Sequence, residues 1–205
     1  MEANTAVNAL FHFLQHHATK YLENLYPAYH SLLIVCHDWG SIKLVEELVD
    51  QFYNYSSKTF AGNKTDLITI PVCYDLSLGN DLGVMAEKLG LPVDEIIRYH
   101  AGATYHVFML GFLPGFPYMG LIDQRIALPR KHKPVPTRKG AVGIAGRQTG
   151  IYPANSPGGW HILGYTPLQM FDETKENPAL LSPGDEIRFL PIDLETYKTM
   201  SGHEL

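Results

Sequence analysis

Two stretches of this chain combine aromatic rings, glycine and proline more densely than core packing calls for: GFLPGFPYMG (Gly111 to Gly120) and GIYPANSPGGWHILGYTP (Gly150 to Pro167). Glycine permits positive φ and close backbone approach, proline fixes φ, and the interleaved Phe, Tyr and Trp supply broad, rigid contact surfaces. Such stretches read as stiff loops on a β scaffold, lining a pocket or an interface. The plainer reading is ordinary hairpin turns, which the same Gly-Pro punctuation also marks.

The 205 residues suffice for one large domain or two small ones. A formal net charge of -5 argues against a nucleic-acid-binding surface. The one basic departure, Arg130-Lys131-His132-Lys133 followed by Arg138-Lys139, reads as a solvated loop or as an anion site. Cys36 and Cys73 sit inside the apolar runs LLIVC and ITIPVC, as reduced core cysteines do. No basic region followed by an apolar stretch is evident behind Glu2, and Leu32 to Cys36 is far too short to span a bilayer. A soluble cytoplasmic protein is expected.

The spacing of Val7, Leu10, Phe11, Leu14, Tyr21, Leu22 and Leu25 predicts a helix over Thr5 to Leu25, with Phe13 off its apolar face and Pro27 as its stop. Ser31 to Cys36 reads as a strand, and Ser41 as the N-cap of an amphipathic helix carrying Ile42, Val45, Leu48, Val49 and Phe52. Leu67 to Tyr74 reads as a second strand. Asp81 to Leu89, ended by Gly90, and Pro92 to Tyr99 read as short helices. Beyond Tyr99 the strand candidates are Tyr105 to Leu110, Val142 to Ala145, His161 to Tyr165 and Glu186 to Leu190, spaced as in a closed all-β unit. The class is therefore α+β: a small α/β domain over residues 1–98, then a closed β-barrel over 99–205, with Ser201 to Leu205 frayed.

From about Pro71 to Ile192 the motif series is dense and ordered: Tyr99-His100, Tyr105-His106-Val107, GFLPGFPYMG, Leu128-Pro129-Arg130, GIAGRQTGIYP, SPGGWHILGYTP, Phe171-Asp172 and LSPGDEIRFLPI. This series closely resembles the family of the 5-oxoprolinase B subunit, also called PxpB, KipI or allophanate hydrolase subunit 1. The resemblance implies that the barrel is cyclophilin-like. It also implies a subunit of an ATP-dependent 5-oxoprolinase complex, which opens the lactam of 5-oxo-L-proline to L-glutamate with partner subunits C and A. ATP and Mg would be used by that complex rather than held by this chain. Some family members resemble an inhibitor of a sensor histidine kinase, which gives a regulatory alternative, and others are linked to allophanate and urea-derived amides. One departure stands out: Thr137-Arg138-Lys139 replaces the small turn of the usual VPxGSV pattern.

No GxxxxGK[ST] phosphate loop, G-x-S-x-G elbow or C-x-x-C pair occurs. His12 and His16 have metal-ligand spacing on a predicted helix but no acidic third ligand beside them, and no metal site is expected. The candidates lie on the stiff loops. His100 is a general base or a histidine bonded to backbone at a domain junction; His106 reads as structural. Arg130 is a bidentate partner for a substrate carboxylate or half of a surface ion pair. His161, directly after Gly158-Gly159-Trp160, is the second candidate for proton transfer, at a point where backbone can approach a ligand closely. Gln148 and Tyr152 offer neutral donors for an amide. Phe116, Tyr118 and Trp160 are either walls for a flat ring or barrel packing. Asp185 reads as a β-turn residue.

Overall fold

The structure, a computed structural model, describes residues 2–56 and 67–202. It divides into two compact units, Met1–Thr65 and Asp66–Leu205. No helix among the described residues is long and apolar enough to cross a membrane.

In the first unit, α1 (Glu2–His17) buries Leu10, Phe13 and Leu14 in a cluster with Val45 and Phe52. Phe13, expected off the apolar face, is a core residue because positions 10, 13 and 14 share one helical face. The helix also ends earlier than expected. Leu22–Pro27 forms β1, which pairs antiparallel with β2 (Leu32–Cys36), Tyr26 opposite Leu33. The cross-strand ladder thus overrides the helical spacing of Tyr21, Leu22 and Leu25. Helix α2 (Trp39–Gln51) is capped by Asp38, whose carboxylate accepts from the Ser41 N–H at 2.7 Å, so Ser41 lies inside the first turn. That hydrogen bond lowers the Asp38 pKa.

The second unit begins with β3 (Ile68–Cys73), α3 (Leu82–Leu89) and α4 (Val93–Ala101). Strands β4 (Thr104–Leu110), β5 (Pro117–Gly120), β6 (Val135–Thr137), β7 (Ala141–Ala145), β8 (Gln148–Ile151), β9 (Ser156–Gly158), β10 (His161–Tyr165) and β11 (Glu186–Ile192) follow. Helix α5 (Leu194–Ser201) comes last, with Gly202 as its left-handed cap; residues 203–205 lie outside the described residues. Seven strands close a barrel in the order β10-β3-β11-β4-β5-β8-β7. The β3–β11 pair is parallel and the others are antiparallel, while β6 and β9 form a separate ribbon. The fold is α+β with a closed barrel. The units part at Thr65/Asp66 rather than at 98/99, because Ile70 and Val72 of β3, Leu82 and Met85 of α3 and Ile96 of α4 belong to the barrel's own core.

The barrel wall is apolar on both faces. On β7, Val142 and Ile144 join the main core, whereas Ala141 and Ala145 join a second cluster with Phe116, Tyr152, Trp160, Ile162 and Tyr165. Strand alternation assigns these clusters to the inside and the outside of the wall.

Candidate functional site

The outer cluster is built on two bare glycines. Gly143 of β7 stands opposite Gly150 of β8. A Cβ at Gly150 would lie 2.8 Å from the Phe116 ring, and one at Gly143 would lie 3.3 Å from Trp160 Cβ. Only a wall without side chains there admits the Phe116 ring at Gly150 and the Trp160 Cβ, with Ile162 and the His161 carbonyl, at Gly143. Phe116 then meets Tyr118, Tyr152 and Trp160 at centroid distances of 4.9, 5.2 and 5.4 Å, in edge-to-face geometry. The two aromatic-glycine-proline blocks therefore form one layer. Phe116 and Tyr152 are each 1% exposed and Trp160 is 6% exposed, so these three rings face one another and only Tyr118 stays half-buried. At Gly158 a Cβ would collide with the Tyr152 hydroxyl, so glycine is required where β9 passes over that phenol. Burial raises the Tyr152 pKa, against the Trp160 N–H bonded to its oxygen and the nearby Arg130. Burial raises that of Tyr118 as well, with Arg130 opposing.

At the edge of this layer sits Arg130, exposed, with its Nε 3.5 Å from where a Gly159 Cβ would be. Among the described residues no carboxylate pairs with it, in contrast to the surface ion pair weighed from sequence. Both neighbours of Arg130 are tied down. The Pro129 carbonyl accepts from His161 Nε2 at 3.0 Å, and the Lys131 N–H donates to the Gly159 carbonyl at 2.7 Å. Lys131 Nζ reaches Asp81 at 2.6 Å, and the same carboxylate oxygen accepts from the Ile162 N–H at 2.7 Å.

His161 is 5% exposed. A carbonyl can only accept, so the proton sits on Nε2; Nδ1 is enclosed without a hydrogen-bond partner among the described residues. Burial lowers the His161 pKa, partly offset by its bond to Pro129. In this arrangement the ring holds a loop and presents no lone pair to the surface.

His100 is a core residue, at 0% exposure on the last turn of α4. It stacks on Phe189 at 4.5 Å and bridges the Tyr74 hydroxyl and Thr149 Oγ1, each at 2.9 Å. Thr149 Oγ1 donates to the Gly143 carbonyl at 3.1 Å, so it accepts from His100 Nε2–H, which leaves Nδ1 to accept from Tyr74. Burial drives the His100 pKa down to about 3. It is neutral and fully bonded, which corrects its reading as a general base.

Gln148 and Tyr152 do not converge either. Gln148 opens β8 and Tyr152 follows its end, about 13 Å apart along the strand at roughly 3.3 Å per residue. His106 pairs with Glu186 at 3.0 Å, and Asp185 accepts from the Ser182 N–H at 2.7 Å, a turn as expected. Arg138, in the departing turn, donates to the Leu78 carbonyl at 2.5 Å and lies over the Tyr165 ring. A cavity of about 550 Å³ opens beside that turn, lined by Lys139, Asn155, Thr166, Phe171 and Tyr197 among others. Cys36 and Cys73 are free thiols, both with pKa raised by burial. Among the described residues no group of three or more His, Cys, Asp or Glu could hold a metal ion. Sequence reasoning missed Asp81, which reads as a helix start, and Lys131, which reads as one member of a basic run.

A family model described as "Carboxyltransferase domain, subdomain C and D" matches residues 1–181. The 5-oxoprolinase B subunit of Bacillus subtilis is 46% identical over 132 residues, covering 64% of this chain and 55% of that protein. That of Haemophilus influenzae is 39% identical over 155 residues, covering 74% of this chain and 70% of that protein. The chain belongs to the family of 5-oxoprolinase B subunits. A solved structure of a conserved uncharacterized protein from Pyrococcus horikoshii, 37% identical, covers 96% of this chain and 90% of its own, with a TM-score of 0.61. The chain spans little more than half the length of the Bacillus subtilis protein.

Proposed function

We propose that the chain acts as the B subunit of an ATP-dependent 5-oxoprolinase complex, opening 5-oxo-L-proline to L-glutamate together with subunits A and C. One observation carries this reading beyond the family relationship: Arg130 is exposed, unpaired by carboxylates among the described residues, and set over bare Gly159 beside Tyr118. A planar guanidinium in that position suits a bidentate grip on the substrate carboxylate. His100 and His161 are occupied in holding the structure, so neither is assigned a proton step. In this reading ATP and Mg are used by the assembly, as the family resemblance implies.

The test is reconstitution. The three purified subunits are assayed for ATP-dependent release of glutamate from 5-oxoproline, each being omitted in turn. Arg130→Ala should raise KM about 100-fold, with Arg130→Lys in between, as loss of a charge-assisted bidentate pair does. An unchanged KM removes Arg130 from the site.

A second reading, a regulator that docks on a sensor histidine kinase, is favoured by Phe112. This ring is 59% exposed and its backbone is held at φ 68, a conformation costly for a non-glycine residue. Inhibition of a purified kinase without any contribution to 5-oxoproline turnover would select this reading.

A further inference from the structure

We propose that Asp81 and Lys131 are positioning residues for Arg130, a role that rests on the reading of Arg130 as the carboxylate-binding group. An exposed arginine has many rotamers, and a bidentate contact needs few of them. What restricts the chain here is the pair of anchors on either side of Arg130. On one side His161 holds the Pro129 carbonyl at 3.0 Å. On the other, Lys131 is fixed twice: its N–H on the Gly159 carbonyl at 2.7 Å and its ammonium on Asp81 at 2.6 Å.

Asp81 in turn belongs to the start of β10, because it accepts from the Ile162 N–H at 2.7 Å and its own N–H donates to the Ile162 carbonyl at 2.7 Å. The Lys131 and Asp81 side chains are only 19% and 24% exposed, so the pair is partly shielded from water and salt. The consequence is geometric. Pro129, Lys131, Gly159, His161 and Ile162 are held in one frame whose cross-brace is the Asp81–Lys131 pair, and Arg130 projects from the middle of it.

Two readouts test this. In the reconstituted complex, Lys131→Met and Asp81→Asn should each raise KM for 5-oxoproline roughly 10-fold with kcat within about twofold of the parent, and Lys131→Arg should restore most of the loss. In an Arg130→Ala background, Lys131→Met should add no further rise, since both act through the same guanidinium. The second readout needs no turnover: nitrogen-15 relaxation at Arg130 Nε in the isolated chain should report an ordered guanidinium, disordered by Lys131→Met and ordered again by Lys131→Arg. An Arg130 Nε unaffected by Lys131→Met overturns the brace whatever the activity. A KM raised by Arg130→Ala but untouched by Lys131→Met overturns it too, while leaving the reading of Arg130 standing. Conversely, an ordered, brace-dependent Arg130 whose removal leaves KM unchanged supports the brace and overturns that reading.

Discussion

The inside and the outside of the barrel wall both bury aromatic rings, but they accommodate polar groups in opposite ways. Inside, His100, Tyr74 and Thr149 form one hydrogen-bonded chain ending on the Gly143 carbonyl, with the ring nitrogens satisfied. Outside, the Phe116 ring lies on the bare backbone of Gly150 and the Trp160 Cβ against Gly143, and Arg130 remains exposed at the layer's margin. Gly143 serves both faces, its carbonyl accepting from the interior chain and its missing side chain making room for Trp160. A satisfied interior network specifies the fold, whereas a rigid layer with an unpaired edge can recognise a ligand.

The sharpest break in this contrast should come from Phe116→Ala. Removing a ring 1% exposed that touches Tyr118, Tyr152 and Trp160 should cost about 3–5 kcal/mol in urea unfolding of the second unit. A cost below about 1 kcal/mol would mean that the layer is not part of the cooperative fold. His100→Leu should follow at about 2–3 kcal/mol, because it leaves the buried Tyr74 hydroxyl without its acceptor and Thr149 Oγ1 with only its bond to the Gly143 carbonyl.

The same histidine predicts a pH signature. Its native pKa of about 3 lies below its ordinary value of 6.5, so between these limits the unfolded chain takes up a proton that the native state refuses. His100 therefore imposes no acid penalty above pH 6.5, and stability falls by about 1.4 kcal/mol per unit as pH drops from there towards 3. Unfolding curves for His100→Leu should lack that portion of the slope. Gly150→Ala should cost about 1–3 kcal/mol, since the new methyl lies 2.8 Å from both the Phe116 ring and the Pro117 carbonyl. The smallest effect, about 1 kcal/mol, is expected for Arg138→Ala through loss of its cation–π contact with Tyr165 and its hydrogen bond to the Leu78 carbonyl.

Much of this architecture is legible in the residues alone, and the misses have physical causes. The helix over Leu82–Leu89 announces its end with Gly90, which adopts φ 65, and short apolar segments between Gly and Pro mark β4, β7, β10 and β11, whereas the three- and four-residue strands β5, β6, β8 and β9 carry no such signal. Leu67 to Tyr74 is readable as a strand, but its allegiance to the barrel is not, because its parallel partner is β11, the last strand of the barrel. His100 carries its own signal: it stands four residues after Ile96 on one helical face, and both are 0% exposed. Arg130 could be singled out by type and position. The brace around it could not, since it joins Asp81 to Lys131 at a separation of 50 residues and no local pattern encodes that pairing.

The parallel seam between β3 and β11 has a consequence for biosynthesis. Arg188 Nε meets Thr69 Oγ1 at 3.1 Å across a separation of 119 residues. Until Glu186 to Ile192 has left the ribosome, β3 and β4 each keep one flank without a ladder partner, as a half-zipped sleeve would. Translation arrested short of that strand should therefore yield a nascent polypeptide prone to clumping and dependent on chaperones, however well its earlier helices have formed.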